Sequence, residues 1–290
     1  MAKKMISIII CSRKADISQE LKDNIAATIG CEYELCVIDN SRNEYNIFTA
    51  YNEGVRRAKG DVLCFMHEDV LFRCENWGAK LIDDYEKDKK IGCIGVVGIQ
   101  YLPNKPMAMW NASAGIGGVL QGQKDKQGCY FVSDDLDKDT KELTEVVALD
   151  GCLISIRRVL FDLIQWDEKT YGGFHIYDMD ICMQVLQTGY KVCVGPSIII
   201  EHQSLGNATK EWYDSLQSFY AKWQNYLPIM RGMTMTHNEL SWRNRMYDVV
   251  LDNQKLNGEI DRIHQSYAYR VGKFLLTPFS YLRRKHGYKR

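Results

Sequence analysis

The sequence predicts an α/β fold, a mostly parallel sheet flanked by helices, with a helical C-terminal extension. Three observations carry this. Short β-branched apolar runs alternate with stretches of helical spacing, acidic residues close successive runs, and beyond Thr209 the pattern turns mostly helical.

The first strand is Met5 to Cys11, a continuous apolar run of the kind buried on both faces of a parallel sheet. Tyr33 to Ile38 and Asp61 to Met66 repeat that character after helical intervals. Phe48, Tyr51, Val55 and Ala58 recur at helical spacing, and Gly60 reads as the stop before the third strand. A helix around Trp77 to Lys90 leads into a fourth strand, Ile91 to Ile99. From Tyr101 to Thr144 the regularity gives way to a long loop region, a frequent home of function. Order resumes with a strand over Glu145 to Ile156, interrupted at Asp150-Gly151, then a helix near Arg158 to Ile164 and the segment Tyr171 to His202. These divisions suggest one domain over 1–208 and a helical region over 209–290.

A chain of 290 residues, 46% hydrophobic, can bury a large core. Lysine plus arginine equals aspartate plus glutamate at 37 each, so no global field points to nucleic acid as a partner. The apolar run near the N-terminus is too brief for a signal peptide or a membrane span. Ten cysteines with no CxxC pair argue against zinc ribbons and a secreted disulfide scaffold, so a reducing cytoplasm is the expected compartment.

In a sheet of this kind ligands bind beyond the carboxyl ends of the strands, where Asp39 and Asp69 both stand. Asp39 can accept hydrogen bonds from a base or ribose, and Asp69 can hold a divalent cation, Mn2+ or Mg2+, against a diphosphate. Either acid can equally cap a turn. His67 either faces the site or packs beside it, and strand alternation turns Glu68 away from its neighbours. Asp178 precedes the apolar helix face Ile181, Cys182, Val185 and Leu186 by one turn, so it faces inward as a general base or as an N-cap. Asp180, roughly 200° further round, is expected to complement the helix dipole. His202, closing the run SIIIEH, is a candidate metal ligand.

Taken in order, ISIIICSR, YELCVIDNS, AYNEGVRRAKGDVLCFMHEDV, ALDGCLISIRRVLF and YDMDICMQVLQTGYKV resemble the family 2 glycosyltransferases over residues 5 to 205. The HEDV form and the long loop look most like the group named after a streptomycin-biosynthesis protein. The resemblance implies a GT-A (Rossmann-like) nucleotide-diphospho-sugar transferase fold and an inverting transfer from a UDP-, GDP- or dTDP-linked donor to a glycan or lipid-linked acceptor. It places Ser12, Asp39, Glu68 and Asp69 on the nucleotide-sugar side. Asp69 and His202 become the metal ligands, and Asp178 the catalytic base. Trp110, Asp150 and Gly151 fall on the acceptor side. Two positions depart from the pattern: His67 stands where the DXD motif has its first aspartate, and Tyr177 where a glutamate precedes the catalytic aspartate.

A non-catalytic nucleotide-sugar or glycan-binding protein of the same fold is the rival reading. A nucleotidyltransferase is weaker, because no glycine-rich loop bearing lysine or arginine follows the first strand. Val249, Asn253, Leu256, Ile260, Ile263 and Tyr267 form a heptad-like seam, which suggests a homo-oligomer through 246–267. Residues 270–290 carry seven lysines or arginines, no acid and several aromatics, which fits either peripheral contact with an anionic inner membrane face or an ordinary solvated helix.

Overall fold

The computed structural model describes residues 4–112, 115–121, 142–195, 197–203, 209–267 and 271. It forms two compact units, Met1–Thr234 and Met235–Arg290. Fifteen strands occur in the described residues: β1 Ile6–Ser12, β2 Tyr33–Asp39, β3 Val62–Met66, β4 Val70–Phe72, β5 Ile91–Gly95, β6 Val97–Ile99, β7 Tyr101–Leu102, β8 Gly115–Gly117, β9 Val119–Gln121, β10 Thr144–Val146, β11 Ala148–Leu149, β12 Leu153–Arg157, β13 Lys191–Val194, β14 Ile200–His202 and β15 Ile229–Met230. The helices are α1 Gln19–Thr28, α2 Ile47–Arg57, α3 Trp77–Lys87, α4 Met109–Ala112, α5 Tyr177–Gln187, α6 Lys210–Trp223 and α7 His237–Gln265.

Seven strands make the central sheet in the order β10-β13-β5-β12-β3-β1-β2. The pairs β1–β2, β1–β3 and β5–β13 are parallel, whereas β12 runs antiparallel between β3 and β5, and β10 antiparallel to β13. The sheet is mostly parallel, as the apolar runs predict. Periodicity alone does not show a strand's direction, so the reversed β12 was not visible in the sequence.

Side-chain alternation along these strands builds a core on each face. Ile9, Leu63, Phe65, Ile154 and Ile156 pack with α2, α5 and α6 on one side. Ile6, Ile8, Ile10, Cys64 and Met66 pack with α1 and α3 on the other. Local signals fix the helix starts: Ser18 caps α1, and Asn46 with Thr49 forms a capping box on α2. The expected stop at Gly60 is different in kind. α2 ends at Arg57, and Gly60 is needed because a Cβ there would lie 2.6 Å from the Ser7 nitrogen of β1. Cysteines sit reduced among the described residues, many of them in the core, where burial pushes the Cys64 thiol up to about 12.

Two of the long predicted strands are divided. Residues 91–99 leave the central sheet after Gly95 and continue as β6 in a small sheet with β11 and β8. Residues 145–156 visit three places: β10 at the edge of the central sheet, β11 in the small sheet, and β12 in the middle of the central sheet. The expected helix after Arg157 is a single 3-10 segment, Arg158–Asp162. A further small sheet, β4-β14-β9, sets His202 opposite Val70. α6 belongs to the first unit and buries Leu216, Phe219, Tyr220 and Trp223.

In the second unit α7 is a 29-residue helix opened by a Thr236–Glu239 capping box. Val249, Leu256, Ile260 and Ile263 along it, and Tyr267 just beyond it, are exposed. Among the described residues no helix is long and apolar enough to cross a membrane. The basic tail 270–290 lies, apart from Val271, outside the described residues.

Candidate active site

The parallel register brings the strand ends together. Ser12 pairs with Asp39, and Ile9 with Phe65, so the carboxyl ends of β2, β1 and β3 lie side by side. On the other flank Leu153 pairs with Met66, and the His67 N–H donates to the Cys152 carbonyl at 3.1 Å. The turn 67–69 therefore lies between the end of β1 and the Asp150-Gly151 turn that opens β12.

β3 stops at Met66, so residues 67–69 form a turn into β4 rather than a continued strand. Its side chains diverge. Glu68 reaches back to β1, accepting from the Ser12 hydroxyl at 2.6 Å and the Arg13 N–H at 3.3 Å. The Ser12 hydroxyl is buried and also accepts from the Lys14 N–H at 3.1 Å. His67 and Asp69 turn the other way, toward His202. His67 Nδ1 lies 3.2 Å from His202 Nε2, and His202 Nε2 lies 3.4 Å from Asp69 Oδ1. One ligand atom from each of the three residues lies within 4.8 Å of the others. Ligands at right angles on a cation with bonds of about 2.1 Å stand about 3 Å apart, close to the 3.2 and 3.4 Å separations of His202 from His67 and Asp69. Two imidazoles with one carboxylate suit manganese and its transition-metal neighbours better than magnesium. Burial, followed by the neighbouring His202, depresses the His67 pKa, which favours the neutral ring that a metal needs.

The second cluster sits beside this one. α5 starts after Ile176, a β-branched residue at φ 66, where the left-handed backbone costs about 1–3 kcal/mol and is typical of functional sites. Asp178 is not the N-cap: its Oδ1 accepts from the Met179 N–H at 2.8 Å and its Oδ2 from the Gly151 N–H at 3.1 Å. Burial, reinforced by the charge of Asp150, raises its pKa to about 7 despite those hydrogen bonds. Asp150 itself accepts from the Cys152 N–H at 2.8 Å. Gly151 is required sterically, because a Cβ would stand 2.2 Å from the Tyr177 hydroxyl. That hydroxyl links the clusters, contacting the Gly151 carbonyl at 3.2 Å and His67 Nε2 at 2.6 Å.

Other predicted residues fall as follows. Asp39 ends β2 exposed, and its pKa is held down chiefly by the Ser41 N–H, which it accepts at 2.9 Å; the strand-end and turn-capping positions coincide in one residue. Trp110 belongs to α4, but its side chain lies outside the described residues. Asp180 stands in the first turn of α5, as a residue complementing the helix dipole should, and has a further part: it is 1% exposed and held by Tyr171, Gln184, Lys222 and the Trp223 indole, so it also anchors α6. The Tyr177 link was missed, since its partners are 110 and 26 residues away in sequence.

The architecture is that of GT-A glycosyltransferases. Compared with a structure of GalNAc-T7 with UDP, GalNAc and Mn2+, the TM-score is 0.50 at 18% identity, covering 77% of this chain; this chain spans half of that one. A Staphylococcus aureus TarS fragment with UDP-GlcNAc gives a TM-score of 0.47 at 13% identity, covering 78% of this chain and 67% of the other. The Pyrobaculum calidifontis mannosyltransferase PcManGT, solved with GDP-Man and Mn2+, gives 0.45 at 10% identity, covering 99% and 88%. No curated protein matches the sequence. The pattern described as "Glycosyltransferase like family" matches residues 7–229, more than three quarters of the chain, and the chain belongs to that family.

Proposed function

We propose that this glycosyltransferase performs a metal-assisted, inverting transfer of a sugar from a nucleoside diphosphate to a hydroxyl of a glycan or lipid-linked acceptor, as in the streptomycin-biosynthesis-type group. One observation carries the reading: a carboxyl poised near neutrality, Asp178, stands on the same edge of the sheet as the imidazole–carboxylate cluster, joined to it through Gly151 and Tyr177. A base whose pKa lies near the working pH combines a useful ionised fraction with a useful proton affinity.

In this reading Asp178 takes the proton of the acceptor hydroxyl as its oxygen attacks the anomeric carbon. The carbon–oxygen bond to the diphosphate breaks on the opposite face, and configuration inverts. The Gly151 and Met179 N–H groups fix the carboxylate orientation. Asp69 and His202 would hold a divalent cation, manganese in preference to magnesium, which supplies positive charge to the departing diphosphate. The Mn2+ and UDP reported with GalNAc-T7 are consistent with this assignment. Ser12, Asp39 and Glu68 lie on the β1–β2 side and would line the nucleotide end. Asp150 and Gly151, with Trp110, would border the acceptor.

The test is turnover across a panel of UDP-, GDP- and dTDP-sugars with Mn2+, for the wild type and Asp178→Asn. The expected result is transfer or slow donor hydrolysis that the variant loses while keeping nucleotide-induced thermal stabilisation. Undiminished turnover in the variant would remove Asp178 as base. Stabilisation by nucleotides without turnover of any donor would favour the non-catalytic alternative.

A further inference from the structure

We propose that Tyr177 is a positioning residue that fixes the His67 ring in the tautomer presenting the Nδ1 lone pair to Asp69 and His202, which makes His67 a third protein ligand of the cation. This rests on the metal-assisted reading above and concerns the two positions where the chain departs from the family pattern.

The proton count on the Tyr177 oxygen carries the argument. The hydroxyl has one hydrogen and two neighbours, the Gly151 carbonyl at 3.2 Å and His67 Nε2 at 2.6 Å. A carbonyl oxygen can only accept. The tyrosine hydrogen therefore goes to Gly151, since otherwise two oxygens would face each other through lone pairs in a buried site. His67 Nε2 must then carry a hydrogen and donate it to the tyrosine oxygen. That leaves Nδ1 as the bare nitrogen, and Nδ1 is the atom 3.2 Å from His202 Nε2, inside the cluster with Asp69. A ligating histidine whose other nitrogen donates to a fixed oxygen is the usual way proteins set ring orientation and ligand strength. The tyrosine oxygen is held by its ring, which packs against Tyr51, Trp166 and Phe48 with centroids 5.7, 5.9 and 6.4 Å away, and it lies so close to Gly151 that a Cβ there would stand 2.2 Å from it.

Tyr177→Phe keeps those ring contacts and removes only the oxygen. Mn2+ binding to the full chain, followed by the electron-spin signal of the free ion, should weaken about 10- to 100-fold in Tyr177→Phe and comparably in His67→Ala. The double variant should bind no worse than His67→Ala alone, because the tyrosine acts only through the histidine. Long-range 1H–15N spectra of histidine-labelled protein should show His67 as the Nε2–H tautomer in the wild type and a mixture in Tyr177→Phe. Unchanged Mn2+ affinity in Tyr177→Phe, additive losses in the double variant, or an Nδ1–H tautomer in the wild type would each overturn the inference. The wild-type spectrum decides even where the variant fails to fold. Failure of the wild type itself to bind Mn2+ would remove the metal reading beneath the inference.

Discussion

Asp178→Asn should stabilise the protein at pH 8 and destabilise it at pH 4. The carboxyl moves from an ordinary value of 3.8 to about 7 on folding. At about 1.4 kcal/mol for each pH unit between those values, ionising the folded group costs up to about 4 kcal/mol. The sign follows from proton counting. Between pH 4 and 7 the folded chain holds a proton that the unfolded chain has released, so stability falls as pH rises through that window; the full cost is present above pH 7 and absent below about pH 4. Asparagine is neutral throughout and removes that cost. Its amide must, however, turn an NH2 toward one of two N–H donors, Gly151 or Met179, which costs about 1–3 kcal/mol at every pH. The variant should therefore gain about 1–3 kcal/mol at pH 8 and lose about as much at pH 4. At about 2 °C per kcal/mol for a chain of this size, the difference in Tm between variant and wild type should swing by about 8 °C across that range, read by thermal melts in matched buffers. Every other titrating group is common to both proteins and cancels. A Tm difference independent of pH, or a variant less stable at pH 8, would refute the argument. Loss of turnover in the same variant would show stability exchanged for a poised base.

Four further substitutions test separate parts of the structure. Asp69→Asn and His202→Ala should each reduce Mn2+ affinity at least about 10-fold and raise the metal concentration needed for turnover, while melting curves without metal stay within about 2 °C of wild type; the ligand set is wrong if metal titrations do not move. Gly151→Ala should cost about 1–3 kcal/mol through its clash with the Tyr177 ring and lower kcat by displacing the N–H that holds Asp178, measured by denaturant melts and initial rates. Asp180→Ala should be the most destabilising, about 3–5 kcal/mol, because it strips a buried carboxylate from Lys222, Tyr171 and Trp223, although Lys222 keeps Asp167 at 2.8 Å. Activity per folded molecule should survive in Asp180→Ala, since its contacts run to α6 and not to the strand ends.

What could be read from the sequence followed the range of each signal. β1, β3 and β5 were legible because a strand buried on both faces must be apolar throughout, whatever its neighbours do, while the edge strand β2, only partly buried, still carries a short apolar core at Leu35 to Ile38. α1 and α2 follow caps written within four residues of their starts. The antiparallel β12 and the division of residues 91–99 between two sheets depend on which strand lies alongside, and no local pattern records that. The site divides in the same way. Asp39 at the end of β2 and Asp69 in the turn after β3 could be placed because strand ends can be read from periodicity. The anchoring part of Asp180 was missed because its angle round α5 was read without α6, whose Lys222 and Trp223 arrive 42 and 43 residues later.

His67 and Tyr177 show most clearly why residues taken singly mislead. Each departs from the acidic pattern that the sequence resembles, one at the turn 67–69 and one at the start of α5. In the folded chain they lie 2.6 Å apart, and each supplies what the other substitution needs. A histidine in the metal turn requires a second partner to set its tautomer, and a tyrosine at the helix start reaches that nitrogen where the shorter glutamate side chain would instead add a third negative charge beside Asp150 and Asp178. Two isolated changes would point toward a decayed site. Two that meet in one hydrogen bond are what the proposed His67 ligand requires.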